Sequence, residues 1–389
     1  MSDQSVPVAI IGVAGIGQMT LRGLAGSDCA RVVGVSDRVT GAADRIAHQV
    51  AAERGGPPAP VYSDNRSLLA ETRPRAVFLA VPPYLAPPLV AACAERGIHV
   101  WTEAPPARNL AEGVAMVRRM DEAGLLLAVG TQRRFTMTYR RAFELRHRLG
   151  RIFLGRAHYL FNWGPQLGWR GDAEAAGGGA LMELGYHPID LMLWLRGLPE
   201  QVYGLAAEGN RPDTPATCGA TLPVYDTDDT AAAILRYADG GMATVVTTRS
   251  SGPVSEELCL HGRRGSLRTD DQQCLLRDPD GNLLDSVAEE APPRDIFRRQ
   301  AEAFVHAVAA GANRYEASAR ENLLNLAVVE AIYLSNRTHQ PETPLRLLNN
   351  HGLSVEDCLA ARCVEDVDEQ VDLPPEQTSS RGSARPETA

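Results

Sequence analysis

The chain contains no lysine; all 39 of its cationic side chains are arginines. Apart from the N-terminal amine it has no ammonium group, and guanidinium stays protonated and cannot relay a proton. Positive charge is also in deficit. A net charge of −9 at pH 7 lacks the basic footprint that phosphate-backbone binding needs, which argues against nucleic acid as a partner. No run of about 18 apolar residues is present, so no membrane-spanning helix is expected. The segment Met1-Ser2-Asp3-Gln4-Ser5 lacks a basic stretch, and the apolar run from Val6 is broken by glycines. A signal peptide is therefore not expected, and a cytoplasmic location is. The seven cysteines are scattered. Cys358 and Cys363, with four residues between them, have no histidine at zinc spacing. All seven read as reduced packing residues, with no metal site.

What is present is hydrophobic content of 44% in 389 residues, enough for two cores of about 100–200 residues each. Short apolar runs at 8–12, 32–37, 76–81, 98–101 and 126–129 read as buried strands. Between them, 19–25, 42–53, 88–96 and 110–122 read as helices. Such alternation predicts a parallel sheet with helices on both faces. The pattern changes after about residue 130. A long strand is predicted over 151–163 and an apolar helix over 181–195. Ala238-Asp239-Gly240-Gly241 lies between apolar runs 230–237 and 242–249, a hairpin signal because Asp-Gly suits positive φ. Asp280-Gly281 repeats it between 274–277 and 283–287. Helices are predicted over 294–310 and 317–336. From about Asp366 the chain is rich in Pro, Glu, Ser and Thr, and a disordered tail is predicted.

Ile10-Ile11-Gly12-Val13-Ala14-Gly15-Ile16-Gly17 follows the first strand and opens the first helix. The dinucleotide fingerprint is G-x-G-x-x-G with an acidic residue about 20 positions on. Gly12 suits the tight turn and Gly17 the helix–strand packing. Ala14 stands at the middle glycine, and Gly15 follows it. Asp37 closes the second strand 20 residues after Gly17. A carboxylate there suits a ribose diol and repels a 2′-phosphate, favouring NAD. Arg38 keeps NADP open. The fold expected is α/β: an N-terminal Rossmann domain with a doubly wound parallel sheet over 1–130. A C-terminal α+β domain with a large, open, mostly antiparallel sheet follows over 131–365, with the tail over 366–389.

Gly177-Gly178-Gly179-Ala180-Leu181-Met182-Glu183-Leu184-Gly185-Tyr186-His187-Pro188-Ile189-Asp190 carries the acid–base candidates. On one helix, Glu183, His187 and Asp190 would share a face at i, i+4 and i+7. That would place an imidazole between two carboxylates, favouring its charged form and fixing its tautomer. An imidazole beside a hydroxyl can take its proton while hydride leaves the same carbon for nicotinamide. Tyr84, Tyr139, Trp163, Trp169 and Tyr186 could stack on cofactor or substrate, or serve as packing.

With these segments the chain resembles the Gfo/Idh/MocA family over about residues 6–350. The family helix motif resembles G-G-G-x-L-x-D-x-G-x-H-x-x-D, matched with Glu183 in place of the first Asp. Gly130-Thr131-Gln132-Arg133-Arg134-Phe135 resembles the family segment after the last Rossmann strand. Trp163 and Trp169-Arg170 match its aromatic and Trp-Arg positions, and 224–241 resembles its sheet hairpin. The resemblance implies Val81, Pro82, Tyr84, Glu103 and Gln132 beside Gly12–Gly17 at the cofactor. It implies Arg134, Trp163, Trp169, Arg170 and Tyr186 at the substrate. It also implies sugar, cyclitol or polyol substrates, and dimers or tetramers formed through the open sheet. Two departures stand out. The family Glu-Lys-Pro reads Glu103-Ala104-Pro105, and its T-P-N-x-x-H reads Val81-Pro82-Pro83-Tyr84-Leu85-Ala86. An NAD(P)-dependent oxidoreductase is expected. The alternatives are a redox-neutral NAD-dependent glycosidase or lyase, and a non-catalytic dinucleotide or sugar sensor.

Overall fold

The computed structural model describes residues 5–166, 168–208 and 224–359. The predicted tail, Cys218 and Cys363 lie outside them. The first sheet contains β1 (Val6–Ile11), β2 (Ala30–Ser36), β3 (Val61–Tyr62), β4 (Ala76–Leu79), β5 (His99–Glu103) and β6 (Leu127–Gly130). Its order is β3-β2-β1-β4-β5-β6, with every pair parallel. The strands read as near-continuous apolar runs because helices bury both faces. Ala76, Val77, Phe78 and Leu79 are all fully buried. The five predicted strands fall where expected, with ends shifted by no more than two residues. The edge strand β3 has only two residues, too few for a periodic signal.

The second sheet contains β7 (Ile152–Asn162), β8 (Gln201–Ala207), β9 (Thr230–Arg236), β10 (Met242–Thr248), β11 (Ser250–Gly262), β12 (Gly265–Thr269), β13 (Gln273–Arg277) and β14 (Leu283–Ala288). Its order is β14-β13-β12-β11-β7-β10-β9-β8. The β7–β10 pair is parallel and the others are antiparallel. Both predicted hairpins form, β9–β10 and β13–β14. In β9 burial alternates strictly, the mark of a sheet with one covered and one open face. Helices Tyr186–Arg196 and Ala319–Thr338 cover the inner face at β7 and β8. Strand β11 has no periodic apolar signal because Ser-Ser-Gly-Pro-Val-Ser-Glu-Glu opens it, and pairing with β7 and β12 makes it a strand.

The single helix expected over 181–195 is two: Ala180–Glu183 and Tyr186–Arg196. Pro188 has no N–H to donate to Leu184 O, so the ladder breaks there; proline is tolerated in the first turn of the second helix. The chain then returns to the first sheet. Helix Pro293–Ala309 packs on helix Ile16–Leu24, and Phe304 meets Phe78 edge-on at 5.6 Å. Val129 N donates to Ala317 O at 2.9 Å.

One buried ionic cluster ties these pieces together. Arg134 follows β6 and is fully buried. It donates to both Asp190 oxygens, at 2.9 and 2.6 Å, and to Glu321 Oε1 at 2.9 Å. Asn325 adds a bond to Asp190 at 2.9 Å. Removing one partner from such a cluster leaves an uncompensated buried charge, at a cost of about 3–5 kcal/mol. Arg134→Met is expected to lower unfolding free energy by about that amount, measured by urea denaturation. An unchanged midpoint would contradict the role assigned to Arg134.

Candidate active site

The strand order reverses between β1 and β4, and ligands in such sheets bind outside the carboxyl ends at that switch point. The glycine turn lies there. Gly12 has φ +84°, and a Cβ on it would lie 2.2 Å from Ala80 O. Only glycine lets the turn lie against β4. Ala14, Gly15 and Ile16 are exposed at its rim, and Gly17 is buried beneath it. Asp37 braces the turn: its Oδ2 accepts from Val13 N at 2.9 Å and its Oδ1 from Val39 N at 3.0 Å. Arg38 and Tyr84 are exposed, and Val81 and Pro82 are half-buried.

At the neighbouring strand ends, Glu103 of β5 pairs in register with Gly130 of β6. Glu103 Oε1 and the following Thr131 Oγ1 are buried without a hydrogen-bond partner. Burial pushes the Glu103 carboxyl up to about 8, against the stabilising effect of the Ala104 backbone N–H. Gln132 is half-buried just beyond. An exposed backbone turn at one end and orphaned polar atoms at the other fit a dinucleotide. Gly12–Gly17 would take its pyrophosphate, Asp37 its ribose, and Glu103 and Gln132 its nicotinamide end.

The acid–base segment is anchored from below. The Asp228 carboxylate accepts from Gly179 N and Leu181 N, each at 2.8 Å, and from Tyr333 OH at 2.6 Å. A Cβ on Gly179 would lie 2.0 Å from Asp228 O, so the glycine permits this close approach. The imidazole of His187 is half-buried at the start of helix Tyr186–Arg196. Its ring lies 5.8 Å from that of Tyr159 on β7.

The expected pairing of His187 with two carboxylates is corrected. Glu183 instead accepts from Arg170 Nε at 2.6 Å. Asp190 is buried under Arg134 and Asn325. The imidazole is accordingly not held charged. Burial and the nearby Arg133 charge pull its pKa down to about 4, opposed weakly by Asp190. Arg134 and Tyr186 are not substrate-facing either. Arg134 is inaccessible, and the Tyr186 hydroxyl donates to Asn322 Oδ1 at 2.9 Å inside the core. Tyr139 is likewise core. Trp163 is exposed. Half-buried Trp169 carries the Arg170 guanidinium over its ring at 4.3 Å.

Tyr159 and Glu256 join the site only through tertiary contacts with Arg133. Arg133 Nε donates to Tyr159 OH at 2.6 Å, and Arg133 pairs with Glu256. Alternation along 151–163 puts Tyr159 on the same face as Trp163, which was the available signal. Glu256 sits in a polar stretch and had none.

A glycine turn at a parallel-sheet switch point, followed by a second sheet domain that carries His187, is the arrangement of a dinucleotide-dependent oxidoreductase. The chain belongs to the Gfo/Idh/MocA family. Residues 6–131 match the oxidoreductase family model with an NAD-binding Rossmann fold, and residues 139–268 match the GFO/IDH/MocA C-terminal domain. The chain is 26% identical to a levoglucosan dehydrogenase of Pseudarthrobacter phenanthrenivorans over 53% of its own length and 57% of that protein. It is 26% identical to D-xylose 1-dehydrogenase (NADP(+)) 2 of Haloferax volcanii over 85% of its length and 97% of that protein. A solved levoglucosan dehydrogenase in complex with NADH and levoglucosan shares the fold. The TM-score is 0.78 at 22% identity, covering 87% of this chain and 99% of that one. Among the described residues, no helix is long and apolar enough to cross a membrane.

The elevated Glu103 carboxyl has a consequence for stability. A group whose folded pKa is raised stabilises fully below its unfolded pKa, and that contribution is lost as pH rises through the folded value. Here the window runs from 4.5 to about 8. Glu103→Gln is therefore expected to gain stability relative to the native chain as pH rises from 5 to 8, read from paired thermal melts. Parallel pH profiles would show that Glu103 is ionised in the folded chain.

Proposed function

We propose that this chain oxidises a secondary hydroxyl of a sugar, cyclitol or related polyol with NAD, or performs the reverse reduction. One observation carries the reading: His187 lies half-buried against the Tyr159 ring, where burial and Arg133, next after Gln132, hold its pKa down and favour the neutral imidazole. In oxidation, His187 accepts the hydroxyl proton and then passes it to solvent. When bound, the dinucleotide supplies the two-electron hydride acceptor for the same carbon. Arg133, fixed by Tyr159 and Glu256, disfavours imidazolium and so keeps His187 ready to accept again. Arg170, stacked on Trp169 and held by Glu183, lines the substrate side. Asp190 is a positioning residue, acting on His187 through the helix they share. Asp37 favours NAD over NADP by repelling a 2′-phosphate. The relatives are named as dehydrogenases, which favours net oxidation over the redox-neutral glycosidase and the sensor.

The open face of the second sheet bears Tyr203, Leu205, Ile234, Met242 and Val246, all exposed. Register places Tyr203 opposite Ile234, and Leu205 and Val246 on either side of Ala232. A contiguous exposed apolar patch marks an interaction surface. This face is where copies of the chain would associate into a homodimer or homotetramer.

Two experiments test the proposal. Purified chain incubated with NAD and a panel of sugars, cyclitols and glycosides should form one NADH per substrate oxidised. Aglycone release without net NADH would point to the redox-neutral alternative, and NAD binding with no turnover to the sensor. His187→Ala should lower kcat/KM by about 10²–10⁴-fold, the usual worth of a general base; full retained turnover would remove the assignment. Separately, Ile234→Arg should shift the sedimenting species toward monomer, and an unchanged mass would locate the interface elsewhere.

A further inference from the structure

Aromatic residues make up only 5% of the chain, yet three stand at alternate positions on β7 and its exit: Tyr159, Phe161 and Trp163. Alternate residues of a strand share a face, and these rings are in contact. Tyr159 and Phe161 lie 5.3 Å apart between centroids, and Phe161 and Trp163 5.7 Å. The inner end of this ladder is beside His187, whose ring is 5.8 Å from that of Tyr159. Exposure rises along it, from 4% at Tyr159 through half-buried Phe161 to 43% at Trp163. A line of rings that starts at the reacting group and ends exposed is a track for something longer than the ring being oxidised.

We propose that Phe161 and Trp163 form a second subsite, which takes the uncharged ring attached to the oxidised sugar and makes the preferred substrate a glycoside instead of a free monosaccharide. The inference rests on the sugar-oxidation reading above. Aromatic faces pack against the apolar faces of other rings, worth roughly 0.5–1.5 kcal/mol per pair beyond area burial. The attached group is taken as uncharged because both cations at hand already carry a carboxylate. Arg133 is paired with Glu256 and Arg170 with Glu183. A diphosphate-linked substituent would need a free guanidinium fork beside the track. Trp163 is held at its backbone, where its N–H donates to Arg249 O at 2.8 Å, while its side chain stays 43% exposed.

The test uses the full chain with NAD and the sugar that the panel identifies, offered as the free sugar, its methyl glycoside and its phenyl glycoside. The expected kcat/KM order is phenyl over methyl over free, with the phenyl-to-free ratio about 5- to 10-fold or more, the scale of one added aromatic pair. Trp163→Ala should collapse that ratio to near one, mainly through KM, and Trp163→Phe should keep most of it. Quenching of tryptophan fluorescence by phenyl glucoside and phenyl galactoside reads binding without turnover, and Trp163→Ala should weaken it. If a sugar is oxidised but the three forms react alike in both chains, the second subsite is overturned and the oxidation reading stands. If no sugar is oxidised yet Trp163-dependent quenching persists, the oxidation reading fails and the ring-binding track survives. Neither turnover nor quenching overturns both.

Discussion

The placement of His187 depends on a charge that never meets solvent. Arg134 sits in the turn that leaves the last strand of the parallel sheet, and its guanidinium reaches Asp190 on the histidine's helix and Glu321 on the long central helix. A guanidinium fork satisfied bidentately is geometrically demanding. It fixes the angle between the turn and the helix as well as their distance. Asp190 lies three positions after His187, less than one helical turn, so whatever holds Asp190 also holds the imidazole. The glycine turn belongs to the first sheet and His187 to a helix packed on the second, and this cluster ties the end of one to the other.

Arginine's monopoly on positive charge shapes the rest of the site. Each carboxylate that might have charged His187 is claimed elsewhere: Glu183 by Arg170, Asp190 by Arg134, Glu256 by Arg133. The imidazole is left with aromatic and desolvating neighbours, and so stays neutral. Glu103 is the complementary case, a carboxyl with no charged partner, driven by burial toward its neutral form. The two groups are pushed in opposite directions by the same physical cause, the removal of water. A pair of titratable groups driven apart by environment is a common signature of acid–base sites.

What could be read from the sequence was local. The glycine turn, the two Asp-Gly hairpins and the parallel-sheet alternation rest on neighbours within a few residues, and each appears where expected. The partners of the site's charges could not be read that way. Arg134 and Asp190 are 56 positions apart and Arg133 and Glu256 are 123 apart, and no periodicity connects them. Helical spacing suggested that Glu183, His187 and Asp190 act together; the break at Leu184-Gly185 and the arrival of distant arginines decided otherwise. Trp163 and Tyr186 looked equivalent as aromatics. Only tertiary packing sends one to the surface and the other to the core.

The Arg134–Glu321 contact also bears on how the chain is made. Its partners are 187 residues apart, and synthesis at about 5–20 residues per second puts roughly ten seconds or more between their emergence. Asp190, only 56 positions on, can meet the guanidinium earlier in that interval, and Glu321 completes its pairing at the end. The turn that follows the last parallel strand therefore gains its full set of buried partners only once the last long helix has left the ribosome.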